Sequence, residues 1–154
     1  MMDVRIGHDP AGNVVAVRDY LNDNQVQRFS YDHLNRLITA STEDANGSSL
    51  AAYNHSYTYN QIGNIASQTE SVGRCISPPG PCQWGNTTSY NYTYSPTHVH
   101  AVDSAKGVSF TYDDNGNMTS RNTSGEAGEI VQEFDTENRL TSVTKVVNGQ
   151  TTSF

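Results

Sequence analysis

Residues 108–121 read VSFTYDDNGNMTSR. Phe110 and Tyr112 stand two apart, with Thr111 between them, and that period of two puts both rings on one face of a strand. The run then meets Asp113-Asp114-Asn115-Gly116-Asn117. Asp and Asn favour turns because their side chains bond the nearby backbone. Gly116 can take positive φ without steric cost. A second β-forming run restarts at Met118. The stretch therefore predicts strand, tight turn, strand, which is a β-hairpin.

The same sentence recurs along the chain. Tyr31-Asp32 opens YDHLNRLITA, Tyr59-Asn60 opens YNQIGNIASQ, and Phe134-Asp135 opens FDTENRLTSV. His8-Asp9 opens HDPAGNVVAV with His in the aromatic place, and Tyr94-Ser95 opens the most degenerate copy, YSPTHVHAVD. The anchors at 8, 31, 59, 94, 112 and 134 lie 18 to 35 residues apart, as expected for a fixed unit with variable connections. Ahead of several anchors, aromatics sit two apart: Phe29 and Tyr31, Tyr57 and Tyr59, Tyr92 and Tyr94. Asn35 and Asn138 occupy the place of Gly12, Gly63 and Gly116, and Asn is the next-best residue at positive φ. Second strands are expected over 37–40, 65–67, 118–121 and 140–143. Val147-Asn148-Gly149-Gln150 signals a further type I′ turn that folds residues 151–154 back along the 139–147 strand. No run keeps apolar residues at helical spacing without a Gly or Asn interruption.

Composition agrees with polar β-structure. Of 154 residues, 34% are hydrophobic and 16% charged. That leaves little with which to fill a thick two-layer core, yet disordered chains are usually richer in charge and poorer in aromatics. The net charge of −7 argues against nucleic acid or an anionic membrane as partner, since both require concentrated Lys and Arg. No apolar stretch approaches the roughly 18 residues of a membrane helix. The first residues, MMDVRIGHDPAGN, lack the basic and apolar regions of a signal peptide.

FTYDDNGNMTSR, FSYDHLNRLITA, YTYNQIGNIASQ and QEFDTENRLTSV resemble the Rhs/YD-repeat family of bacterial Rhs proteins, insecticidal toxin complexes and animal teneurins. HVHAVDSAKGVSFTYDDNGNMTS also resembles the family's linker between a degenerate repeat and a strong one. The resemblance runs from about residue 6 to the end. It implies an all-β fold in which successive antiparallel hairpins join into one curved, extended sheet, part of a spiral shell that encloses a toxic domain. On this reading residues 1–154 are about six repeats with a Cys/Pro-rich insertion at 72–88. No toxin domain is present, and six hairpins form a piece of wall within a larger, secreted or cell-surface protein. The implied partners are neighbouring repeats, other copies through open sheet edges, and an enclosed toxin domain. The alternative is a non-catalytic module whose aromatics bind a glycan or a cell-surface protein.

Candidate reactive residues resolve into structure. Asp9-Pro10-Ala11-Gly12 matches the DPxG-type motif of self-cleaving Rhs proteins, but it occupies the repeat's own turn, where Pro suits an early position. Cys75 and Cys82 flank Ser-Pro-Pro-Gly-Pro and suit free thiols or a small disulfide loop. One pair is too few for structural zinc, and no basic neighbour marks either as a nucleophile. His98 and His100 alternate as two metal ligands on a strand would, yet they sit in the degenerate repeat with no third ligand placed by pattern. Asp113 and Asp114 are adjacent and read as turn formers, because an acid–base pair needs carboxylates opposed across a cleft. The Asn-x-Ser/Thr triplets at Asn46, Asn54, Asn86, Asn91, Asn117 and Asn122 follow from composition. The expectation is therefore no catalytic, cofactor-binding or metal residue, no cofactor, and no enzyme.

Overall fold

In the computed structural model the described residues are 3–21, 25–43, 49–75, 82–123 and 128–154, with backbone alone for 49–52, 74–75 and 82–84. Fourteen strands follow one another: β1 Val4–His8, β2 Val14–Asp19, β3 Gln25–Tyr31, β4 Leu37–Glu43, β5 Ser49–Tyr59, β6 Ile65–Cys75, β7 Cys82–Asn91, β8 Thr93–Tyr94, β9 Val102–Ala105, β10 Val108–Tyr112, β11 Met118–Thr123, β12 Gly128–Phe134, β13 Leu140–Val147 and β14 Gln150–Ser153. No described residue is helical, so none lies in a helix long and apolar enough to cross a membrane.

The expected succession of antiparallel hairpins is realised as two seven-stranded sheets. One runs β1 to β7 and the other β8 to β14, each strand beside its sequence neighbours. The chain likewise divides into two compact units, ending at Ser89 and beginning at Tyr90. Second strands are longer than the propensity-based reading. β4 reaches Glu43 and β6 reaches Cys75, because cross-strand pairing carries polar residues past the point where β-formers end, whereas β13 ends at Val147, where the 139–147 strand was expected to end. Most of the stretch set apart as an insertion is strand, in the end of β6 and in β7.

Period-two alternation gives each sheet two chemically distinct faces. Val108, Phe110 and Tyr112 are half-buried while Ser109 and Thr111 are exposed; Tyr53, His55, Tyr57 and Tyr59 alternate in the same way with Asn54, Ser56 and Thr58. The second face carries cross-strand hydroxyl pairs: Ser30 with Thr39, Thr58 Oγ1 with Ser67 Oγ at 2.6 Å, and Thr93 Oγ1 with Ser104 Oγ at 2.7 Å. Among the described residues only Val26, Ala40, Thr42 and Gln68 are buried, and of these only Val26 and Thr42 fully. With so few buried side chains among the described residues, the order of each sheet must come from elsewhere than a large core.

Candidate functional site

That order comes from one turn built five times. Asp9 N–H donates to Asn13 O at 2.9 Å, and Gly12 N–H donates to Asp9 O at 3.0 Å. The same two bonds recur at Asp32/Arg36 with Asn35, Asn60/Asn64 with Gly63, Asp113/Asn117 with Gly116, and Asp135/Arg139 with Asn138. This is a three-residue hairpin loop closed by a left-handed residue. Asn35 at φ 59° and Asn138 at φ 61° fill that place as readily as Gly116 at φ 85°. Each turn is followed by a register shift, so that Tyr112 faces Met118 while Thr111 faces Ser120. The extra residue is a β-bulge, which fixes register.

The anchor's acidic neighbour holds the loop closed. Asp113 Oδ1 accepts from the N–H groups of Asn115 at 3.0 Å and Asn117 at 2.8 Å, and Oδ2 accepts from Asn117 Nδ2 at 2.9 Å. In the Arg-bearing turns the last donor is a guanidinium, with Arg36 Nε 2.7 Å and Arg139 Nε 2.8 Å from the Asp32 and Asp135 carboxylates. These donors stabilise the carboxylate form. The Arg36 side chain, then its backbone N–H, lowers Asp32 to about 2. Asp9 and Asp113 are lowered chiefly by the Asn13 and Asn117 side chains, and Asp135 by the Arg139 backbone N–H and then its side chain. A carboxylate so occupied has no proton to donate and poor access as a base.

The anchor ring then ties each hairpin to the one before. Tyr31 Oη donates to Val14 O at 2.8 Å, Tyr59 Oη to Leu37 O at 2.7 Å, and Tyr112 Oη to Val102 O at 3.0 Å. Each acceptor is the first strand residue after the preceding turn. Neighbouring turns also touch: Asn13 Nδ2 donates to Asn35 Oδ1 and Asn117 Nδ2 to Asn138 Oδ1, both at 2.8 Å. Where Arg replaces Asn, the guanidinium of Arg36 lies 4.5 Å from the Tyr59 ring centroid instead. Tyr59 is pushed up by burial. The anchor hydroxyls of Tyr31, Tyr59 and Tyr112 are therefore spent on the chain's own backbone, which leaves them little for an external sugar.

The structure places the other candidates as follows. Asp9-Pro10-Ala11-Gly12 is the first turn of the series, with Asp9 Oδ1 bound by Ala11 N–H at 2.9 Å and Asn13 N–H at 2.8 Å. His98 and His100 lie in the Ser95–Ala101 turn rather than on a strand, because this copy's loop is two residues longer. His98 Nε2 reaches Asp114 O at 3.3 Å, which makes it a bridge between turns. Asp113 and Asp114 do diverge: the first closes its own loop and the second offers its carbonyl to His98. Asn117, a candidate glycosylation site, is held by Asp113 and Asn138. Cys75 and Cys82 end β6 and begin β7, and their side chains, like residue Asn46, lie outside the described ones. Among the described residues no three His, Cys, Asp or Glu are grouped to hold a metal ion.

Sequence reading missed the turn Ala105-Lys106-Gly107-Val108. There Lys106 at φ 51° and Gly107 at φ 77° join β9 to β10. Lys-Gly between β-formers was the available signal. It was weak because Lys is seldom left-handed.

The RHS repeat family profile matches residues 8–49, which hold the first two of these turns. The chain is 35% identical over 70 residues to double-stranded DNA deaminase toxin A of Burkholderia cenocepacia (strain H111), covering 46% of this chain and 4% of that protein. It also aligns with a solved structure of the Photorhabdus luminescens Tc holotoxin pore, at a TM-score of 0.48 and 13% identity, over 98% of this chain and 9% of that one. The chain thus spans a small fraction of either. With the profile on the first two turns, and the later turns repeating their backbone bonds, the chain carries RHS repeats.

Proposed function

We propose that residues 1–154 are a stretch of repeat wall in a larger, exported Rhs-type protein, and that this wall helps to enclose a toxin domain carried elsewhere in the polypeptide. The observation that carries the proposal is the anchor stitch, in which Tyr31, Tyr59 and Tyr112 each bond the hairpin before them. Such a unit passes its order only to its neighbours, as repeat architectures do, and can be extended hairpin by hairpin. Its work is mechanical: it keeps a polar sheet together without a core. Partners are then the adjoining repeats, paired through β1 and β14, and the enclosed domain. No catalysis is assigned to the wall itself. The matched deaminase toxin is some twenty-five times longer than the stretch it shares here, as its 4% coverage requires.

The test is to capture the native polypeptide from its source cells with an antibody against residues 108–145 and to digest it gently before and after denaturation. A polypeptide far heavier than 16.9 kDa, with a second domain protected only while the repeats are folded, is the expected result. A native species of 16.9 kDa, or a second domain cleaved equally in both states, would overturn the proposal.

A further inference from the structure

The two sheets share one geometric row, which differs in chemistry. On the aromatic face of the first sheet Phe29 pairs with Ala40, Ala40 with His55 and His55 with Glu70. At the same repeat positions in the second sheet Phe110 pairs with Arg121, Arg121 with Ile130 and Ile130 with Lys145. Small Ala40 is covered to 8% exposure, and Gln68 Nε2 ties the row's end to Glu70 at 3.1 Å. The second row instead surrounds a concavity of about 350 Å³, bounded by Phe110, Arg121, Thr123, Gly128, Ile130 and Lys145.

The hollow is built into the backbone. Gly128 sits at φ 75°, and a Cβ there would lie 2.3 Å from Val146 O, so no side chain can fill the space from that position. Phe110 and Ile130 supply apolar surface. Arg121 and Lys145 stand apart from the chain's other described cations. Arg28, Arg36 and Arg139 have carboxylate partners, and Arg5, Arg18 and Lys106 lie over tyrosine rings. Neither Arg121 nor Lys145 has an ion pair or a ring contact among the described residues. In a chain of net charge −7, two cations without an ionic or ring partner among the described residues, beside an apolar hollow, form a local reversal of sign.

We infer that this hollow binds a small organic anion with an apolar body, the body on Phe110 and Ile130 and the anionic group between Arg121 and Lys145. The volume is at the low end for small-ligand sites, and the mix of apolar floor and few polar groups is the usual one. The competing role for the two cations is purely structural, with their alkyl stems covering the floor. Gln retains much of that stem and lacks the charge, so it separates the two roles. The inference is independent of whether the chain forms part of a shell.

The experiment is titration of the full chain with 1-naphthoate, and with the neutral 1-naphthalenemethanol, followed by amide NMR shifts. Naphthoate should bind about tenfold more tightly than the alcohol, weaken with salt, and move the amides of Phe110, Gly128 and Ile130 but not those of Phe29 and His55. The doubly substituted protein, Arg121→Gln with Lys145→Gln, should lose about tenfold for naphthoate and little for the alcohol. Arg28→Gln serves as the control and should change neither. Equal affinity for acid and alcohol in the unaltered chain, or shifts spread evenly over both sheets, would overturn the inference without reference to any variant. So would full naphthoate affinity in a folded double variant.

Discussion

Tyr59→Phe removes one oxygen atom and leaves the ring, its half-buried setting and the Arg36 contact in place. The oxygen it removes donates to Leu37 O at 2.7 Å, linking β5 to the first strand residue after the preceding turn. A net intramolecular hydrogen bond is worth roughly 0.5–1.5 kcal/mol, and a part-buried carbonyl left without its donor adds to the loss, so a cost of about 1.5 kcal/mol is expected. For a unit of this size that lowers Tm by about 6–12 °C, at about 4–8 °C per kcal/mol. Urea unfolding of the full chain gives the energy. Amide exchange locates it: protection should fall in β4 and β5 and stay unchanged in β11 to β13, because the stitch acts between neighbours. A Tyr59→Phe protein within about 0.5 kcal/mol of the parent, where ordinary surface changes fall, would refute the stitch as a source of order.

The reverse change should stabilise. Position 134 holds Phe where three other anchors hold a bonding Tyr, and the matching acceptor is Met118 O, so Phe134→Tyr should add about 1 kcal/mol in the same urea experiment. Acid should loosen the turns in a defined window. The Asp32 carboxyl titrates at about 2 when folded and at 3.8 otherwise, so its contribution is complete above about pH 4 and is lost as pH falls toward 2. Circular dichroism against pH should show that loss, and Asp32→Asn should reduce the slope in that window. Glycine replacements should rank by space as well as φ. Gly12→Ala meets nothing within 4 Å and should cost about 1–2 kcal/mol for its positive φ alone, whereas Gly128→Ala also drives a Cβ against Val146 O and should cost clearly more, both read from Tm.

The hairpins were legible because their information is local. Anchor, acid and left-handed residue lie within five positions, and Asn35, Asn138 and Gly116 declare their backbone angles by residue type alone. The Asn148-Gly149 turn was read for the same reason, and it appears with φ 49° and 76°. What lay beyond reach depends on register across strands. Asn13 meets Asn35 and Asn117 meets Asn138 only because successive loops stack, and nothing inside either loop states that distance. The Phe110–Arg121–Ile130–Lys145 row is hidden more deeply. Simple alternation from the turn would put Arg121 on the wrong face, and only the bulge after Tyr112 brings it opposite Phe110. The Tyr stitch did leave a trace, since anchors are Tyr more often than Phe, but the acceptor belongs to another hairpin.

A β-structure in which only four described residues are buried cannot owe its stability to a large interior. Its stabilising bonds run either within one loop or between one hairpin and the next, so its cooperativity should be strong where those bonds are complete and weak where they lapse. The degenerate copy at Tyr94 closes its loop by a different route, with Ser95 N–H donating to Ala101 O at 2.9 Å. Its loop is longer, its strand β8 spans two residues, and Ser95 Oγ accepts from the N–H groups of Thr97 and His98 where four of the other turns use an Asp carboxylate and one the Asn60 amide oxygen. That is also where one seven-stranded sheet ends and the other begins. Restoring an acid there with Ser95→Asp need not repair the loop, because a longer loop moves the N–H groups that an aspartate would have to meet. Loop length thus decides how this turn closes before any one side chain does.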